Sequence, residues 1–140
     1  MKQEIEKKSV HFISLGCPKN LVDTEIMVGT LMKDGYQVVS EDQEADTVII
    51  NTCGFIEDSK RESIQKILEM GALKKEGKIK RLVVAGCLTQ RYKSDIVDEL
   101  PEADLFIGSG EFQNIDKILD GNKKGNTQRT FFNLPTYLQD

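Results

Sequence analysis

Five short runs of β-branched and aliphatic residues punctuate this chain: Val10–Leu15, Gln37–Val39, Thr47–Ile50, Leu82–Ala85 and Leu105–Ile107. Four of the five are near-continuously apolar rather than alternating. A strand with one wet face alternates with period two, so an unbroken apolar run marks a strand covered on both faces, as in a parallel sheet. Helix-length segments with three-to-four-residue periodicity lie between most of these runs. The first helix is expected near Asn20, an N-cap, carrying Leu21, Val28, Leu31 and Met32 inward and stopping at Gly35. A capping box of Ser59 and Glu62 announces the second, with Ile64, Ile67 and Leu68 on one face. A third places Tyr92, Ile96 and Leu100 on one face and stops at Pro101; the last has Asn114 as cap, then Ile115, Ile118 and Leu119.

The order βαβ-β-αβαβα predicts an α/β fold: a doubly wound, mostly parallel five-stranded sheet of order 2-1-3-4-5 with helices on both faces. One link strains it. Only Glu41 to Asp46 join the second and third strands, too few for the usual crossover helix. The 140 residues are one domain's length, and 39% apolar content is ordinary for one. A net charge of −4, with 30% charged residues of both signs, excludes a strongly basic nucleic-acid coat and an acidic disordered chain. No apolar run approaches the roughly 18–20 residues of a membrane span, and the N-terminus lacks the apolar core of a secretory signal. A cytoplasmic protein is expected, with residues 1–9 an extension, 10–120 the domain and 121–140 a linker in a piece of a longer chain.

Three cysteines are present, Cys17, Cys53 and Cys87, at separations of 36 and 34 residues, and His11 is the only histidine. An odd count closes no set of disulfides, and the spacing matches no zinc finger. Each cysteine ends a predicted strand: the first, the third and the fourth. In the order 2-1-3-4-5 these are neighbours, so the three thiols converge at the carboxyl edge of the sheet, within about two strand spacings of ~4.8 Å. That edge is where such folds bind ligands. A glycine adjoins each cysteine: Gly16, Gly54 and Gly86. Glycine lets backbone approach a bulky object closely. Pro18 holds Cys17 out of the following helix. The plain alternative is three buried cysteines that only pack. Thiolates without histidine favour an iron–sulfur cluster, zinc or copper(I). No fourth protein ligand for zinc is evident. A 4Fe–4S cluster held by three cysteines leaves one iron open.

The segments Ser14-Leu15-Gly16-Cys17-Pro18-Lys19-Asn20-Leu21-Val22-Asp23-Thr24-Glu25, Asn51-Thr52-Cys53-Gly54-Phe55-Ile56 and Gly86-Cys87-Leu88-Thr89-Gln90-Arg91-Tyr92 resemble the N-terminal domain of the radical-SAM methylthiotransferases, from about Val10 to Leu119. The resemblance implies that Cys17, Cys53 and Cys87 are the metal ligands of an auxiliary 4Fe–4S cluster. Gly16, Asn20, Asn51, Thr52, Gly54 and Gly86 lie about it. It also implies a parent enzyme with a second 4Fe–4S cluster and S-adenosylmethionine (SAM). There a SAM-derived radical removes hydrogen from an unactivated carbon, sulfur is delivered, and a second SAM supplies the methyl group. The family's radical-SAM domain, with its C-x3-C-x2-C motif, and its small C-terminal domain are absent from these residues. The 140-residue stretch alone is therefore expected to be inactive. Cys17-Pro18-Lys19-Asn20 resembles the branch that modifies an aspartate of a small-subunit ribosomal protein, where the tRNA-adenosine branch carries Gln-Met-Asn after the first cysteine. A ribosomal-protein partner is thereby implied, with no membrane contact and no direct nucleic-acid binding by this domain.

Other features have plainer readings. His11 reads as a structural strand histidine and Gly108-Ser109-Gly110-Glu111 as a strand-end turn. The basic residues of Lys74 to Arg81 read as a solvated helix end, and Asp95, Asp98, Glu99, Glu102 and Asp104 as an exposed face. Asn20 doubles as a helix cap. A non-catalytic binding module and a tRNA-modifying domain remain alternatives. A thiol redox domain is disfavoured because no C-x-x-C pair exists.

Overall fold

The computed structural model describes residues 9–15, 18–40, 45–52, 57–86, 100–108, 112, 114–123 and 130–131. Six parallel strands form one sheet: β1 (Ser9–Ser14), β2 (Gln37–Val38), β3 (Thr47–Thr52), β4 (Arg81–Gly86), β5 (Leu105–Ile107) and β6 (Thr130–Phe131). Their spatial order is β2-β1-β3-β4-β5-β6. The expected α/β class and the order 2-1-3-4-5 hold. β6 extends the sheet from within the stretch read as a linker, and pairs Thr130 with Phe106 and Phe131 with Ile107.

The short link between β2 and β3 is explained by where the strands start. β2 is two residues long and ends level with Val10, where Val38 pairs. β3 begins at that same level, with Thr47 opposite Val10. The chain therefore has no strand length to retrace, and the dozen-residue crossover usual between parallel strands is unnecessary.

Every residue of β3 and β4 is buried. Alternate side chains feed two separate cores, as the pleat demands. Val48, Ile50, Leu82, Val84 and Phe106 meet Ile67 and Met70 of α2 (Glu57–Lys75) on one face. Ile49, Val83, Ala85, Leu105 and Ile107 meet Met27 and Leu31 of α1 (Pro18–Lys33), and Ile115, Ile118 and Leu119 of α3 (Ile115–Lys123), on the other.

The helix frames differ from the expectation in particulars. α1 starts at Pro18, so Asn20 lies in its first turn and is not the cap. Proline suits a first helical position because its ring presets φ and it has no N–H to leave unsatisfied. The inward stripe of α1 is Thr24, Met27 and Leu31, whereas Met32 is 59% exposed; one residue of rotation, about 100°, separates it from Leu31. The same offset turns Leu68 outward, beside buried Ile67. α2 begins at Glu57, which places Ser59 inside the helix. Gly35 does stop α1, at a φ of 91°, with the Tyr36 N–H donating to the Leu31 carbonyl at 3.0 Å. The expected helix through Tyr92 and Ile96 lies outside the described residues; Leu100 at its end is buried.

Two charged groups read as solvated are structural. Arg81 is 6% exposed. Its Nε donates to Thr47 Oγ1 at 3.0 Å and its Nη1 to the Leu119 carbonyl at 2.9 Å. A cation at the start of a buried strand needs such acceptors, and the first residue of β3 and the middle of α3 supply them. Asp104 accepts the Leu82 N–H at 2.9 Å and pairs with Lys74 at 2.7 Å, joining β4 to the approach of β5. Asp95, Asp98 and Glu99 lie outside the described residues.

Tyr36 seals the same edge. Its hydroxyl donates to Asp120 Oδ1 at 3.1 Å, and burial, reinforced by the Asp120 charge and moderated by Arg81, pushes its pKa from 10.0 up to about 12. Because the folded chain holds this proton more tightly than an unfolded one, the stabilisation is fully present below pH 10 and is lost as pH rises toward 12. Tyr36→Phe should lower stability by about 1 kcal/mol at neutral pH. Urea denaturation across the alkaline range should show that the variant lacks this part of the decline.

Candidate functional site

Where β1, β3 and β4 end together, Ser14 pairs with Asn51 and Asn51 with Ala85, and Thr52 stands opposite Gly86. The three strand ends are thus level, and adjacent strands lie ~4.8 Å apart. Cys53 and Cys87 are the next residues in the chain after Thr52 and Gly86, and Cys17 follows Leu15 and Gly16. The three cysteines themselves, with Gly16 and Gly54, lie outside the described residues. Among the described residues, no group of three His, Cys, Asp or Glu could hold a metal ion.

The described edge is braced by polar atoms. Leu15 N–H donates to the Asn51 carbonyl at 3.0 Å. Thr52 Oγ1 donates to the Ala85 carbonyl at 2.8 Å. Asn51 Nδ2 donates to Thr24 Oγ1 at 3.0 Å, and both residues are buried. An amide or hydroxyl withdrawn from water carries a desolvation cost of order 1–3 kcal/mol, which these bonds offset. Gly86 completes the brace. Its φ is 104°, and a Cβ there would overlap Asn51 Oδ1 and lie 2.7 and 2.9 Å from the carbonyl oxygen and nitrogen of Thr52. Only glycine lets β4 end against β3 in this way.

Of the expected site residues, Asn51, Thr52 and Gly86 are therefore brought together. Asn20 lies in the first turn of α1, the helix that starts directly after Cys17. Thr24 was not singled out from sequence. Its signal is the inward stripe of α1, where a threonine occupies a position that Met27 and Leu31 fill with apolar atoms. His11 is structural as expected: Nδ1 donates to the Val39 carbonyl at 3.0 Å, joining β1 to the end of β2.

A surface depression of about 330 Å³ is lined by Lys74, Lys75, Pro101 and Glu102. It lies toward the amino edge of the sheet, near the Lys74–Asp104 pair, away from the level strand ends. Its lysines are already engaged, with Lys75 to Glu102 at 3.1 Å. No described helix is long and apolar enough to cross a membrane.

A family model described as "Uncharacterized protein family UPF0004" matches residues 9–108. The chain is 74% identical over 141 residues to the "Ribosomal protein uS12 methylthiotransferase RimO" of Bdellovibrio bacteriovorus, covering all of this chain and 31% of that protein. Proteins of the same name from Trichlorobacter lovleyi and Clostridioides difficile are 43% and 55% identical, covering 97% and 76% of this chain and 30% and 24% of theirs. The chain thus spans about three-tenths or less of the length of these relatives.

Two glycines test the packing of the edge. Gly86→Ala should cost about 2 kcal/mol or more through its positive φ and the overlap with Asn51. Gly29→Ala, with open space around the added carbon in an exposed helix position, should be neutral or stabilise by up to about 1 kcal/mol. Urea unfolding of the two variants should show these opposite signs.

Proposed function

Since the chain belongs to the UPF0004 family, we propose that it is the N-terminal, auxiliary-cluster domain of a methylthiotransferase. In this reading Cys17, Cys53 and Cys87 hold a 4Fe–4S cluster. The parent enzyme methylthiolates the β-carbon of an aspartate in ribosomal protein uS12 in the cytoplasm, using SAM and a second 4Fe–4S cluster. The observation that carries the reading is the level register of β1, β3 and β4, because three thiols following three adjacent strand ends suit an object wider than a single ion. The names of the relatives support the reaction and the substrate.

The donor set fits the group. Three soft thiolates with no histidine beside them match iron–sulfur chemistry, and such a cluster supplies an open iron at which sulfur is held for transfer. The chain's own part is to bind and orient. α1 begins at Pro18, directly after Cys17, so the helix's positive end favours thiolate over thiol there. Gly16, Gly54 and Gly86 let the backbone approach closely. Asn20, Asn51 and Thr52 orient the segments that carry the cysteines. The domain runs from β1 through β6, and the residues after β6 lead toward the radical-SAM domain. These 140 residues contain no C-x3-C-x2-C motif, so alone they perform no methylthiolation.

Anaerobic reconstitution with iron and sulfide should give a brown protein whose iron content approaches one 4Fe–4S cluster per chain. Cys17→Ala, Cys53→Ala and Cys87→Ala should each abolish or badly weaken iron binding. A colourless, iron-free product would refute the cluster, and one silent substitution would mark that cysteine as packing.

The substrate is tested in cells. Deleting the parent gene should remove the mass of one methylthio group from ribosomal protein uS12. Loss of methylthiolated adenosine from tRNA, with uS12 unchanged, would move the chain to the other branch.

A further inference from the structure

We propose, resting on the three-cysteine reading, that Asn51 is the positioning residue of that site: one amide that ties together the chain segments bearing all three cysteines. Asn51 stands two residues before Cys53. Its carbonyl accepts the N–H of Leu15, two residues before Cys17. Its side-chain nitrogen donates to Thr24, in the helix that follows Cys17. Its side-chain oxygen lies against Gly86, the residue before Cys87, at a point where a Cβ on that residue could not fit. One residue thus grips the chain on both sides of Cys17, abuts the approach to Cys87, and leads into Cys53.

Core packing does not account for an amide here. Asn51 shares its face of the sheet with Ile49 and Ala85 and is fully buried. A valine or leucine would be covered by the same neighbours without the desolvation cost of an amide. What an apolar side chain cannot supply is direction. The Nδ2–H bond fixes the distance between α1 and β3, and the compact oxygen against Gly86 fixes how closely β4 ends beside β3. Both distances lie across the carboxyl edge, and both set where the following residues start. Thr24 shares the role. As a threonine within a helix it has a hydroxyl that serves the helix little, and here that hydroxyl faces β3.

The test uses Asn51→Ala, Thr24→Val and Thr24→Ser in this chain, with Cys53→Ala as a cluster-free reference. After anaerobic loading, the readouts are the rate at which a chelator strips iron and the electron paramagnetic resonance spectrum of the reduced cluster. In iron-free protein the readout is the yield of intramolecular thiol cross-linking by dibromobimane. Asn51→Ala and Thr24→Val should lose iron roughly five- to tenfold faster, the size expected for one lost buried hydrogen bond. They should broaden the spectrum and lower the cross-linking yield, while Thr24→Ser, which keeps the hydroxyl, restores all three. If Asn51→Ala does not fold, the contrast between Thr24→Val and Thr24→Ser decides. Unchanged stripping rates and spectra in folded variants would overturn the positioning role and leave the cluster reading intact. An unmutated chain that takes up no iron would sink the cluster reading instead, and the cross-linking yields would then decide whether Asn51 holds the thiols together.

Discussion

Complete burial of β3 and β4 is the constraint on which the rest of the molecule depends. Helices cover both faces, so each side chain of these strands must be apolar or find its hydrogen bonds inside the protein. β3 obeys this rule strictly. Its centre is Val48, Ile49 and Ile50, and its polar residues, Thr47 at one end and Asn51 and Thr52 at the other, all have partners. Polarity is thereby pushed to the two edges of the sheet, and the edges take different roles.

At the amino edge, the polar groups hold the fold. Arg81 joins β4 to β3 and to the middle of α3; Tyr36 reaches Asp120; Asp46 accepts the N–H groups of Lys80 and Arg81 through its carbonyl. At the carboxyl edge, the bonds among Leu15, Thr24, Asn51, Thr52 and Ala85 align three strand ends that lead directly into the cysteines. The same physical requirement, that buried polar groups be satisfied, gives a clamp at one end and a mounting at the other.

Much of this was legible in the residues. Unbroken apolar runs identify a sheet covered on both faces, and the order of those runs along the chain makes the strands that lead into the three cysteines neighbours in it. What was hidden depends on three-dimensional partners. Met32 and Leu68 look like core residues, yet the helix phase is set by what the sheet accepts, and that selects Met27 and Ile67. Arg81 looks like one more solvated cation after Lys78 and Lys80 until Thr47 and Leu119 are placed around it. Thr24 lies within a family-like segment, yet nothing along the chain marks its partner, Asn51, 27 residues away. β6 is only two residues long, too short for any periodicity to reveal.

All six strands among the described residues are parallel, and this has a kinetic consequence. No two neighbours can pair as a hairpin; Thr24 meets Asn51 across 27 residues and Thr52 meets Ala85 across 33. Contacts so distant along the chain form late, after the entropy of closing long loops has been overcome. During synthesis the first strand end emerges well before the third, and the carboxyl edge is incomplete until β4 has joined the sheet. The three strand ends that lead into the cysteines accordingly stay apart in a nascent or unfolded chain. Assembly of the edge is a late event that reports a finished core.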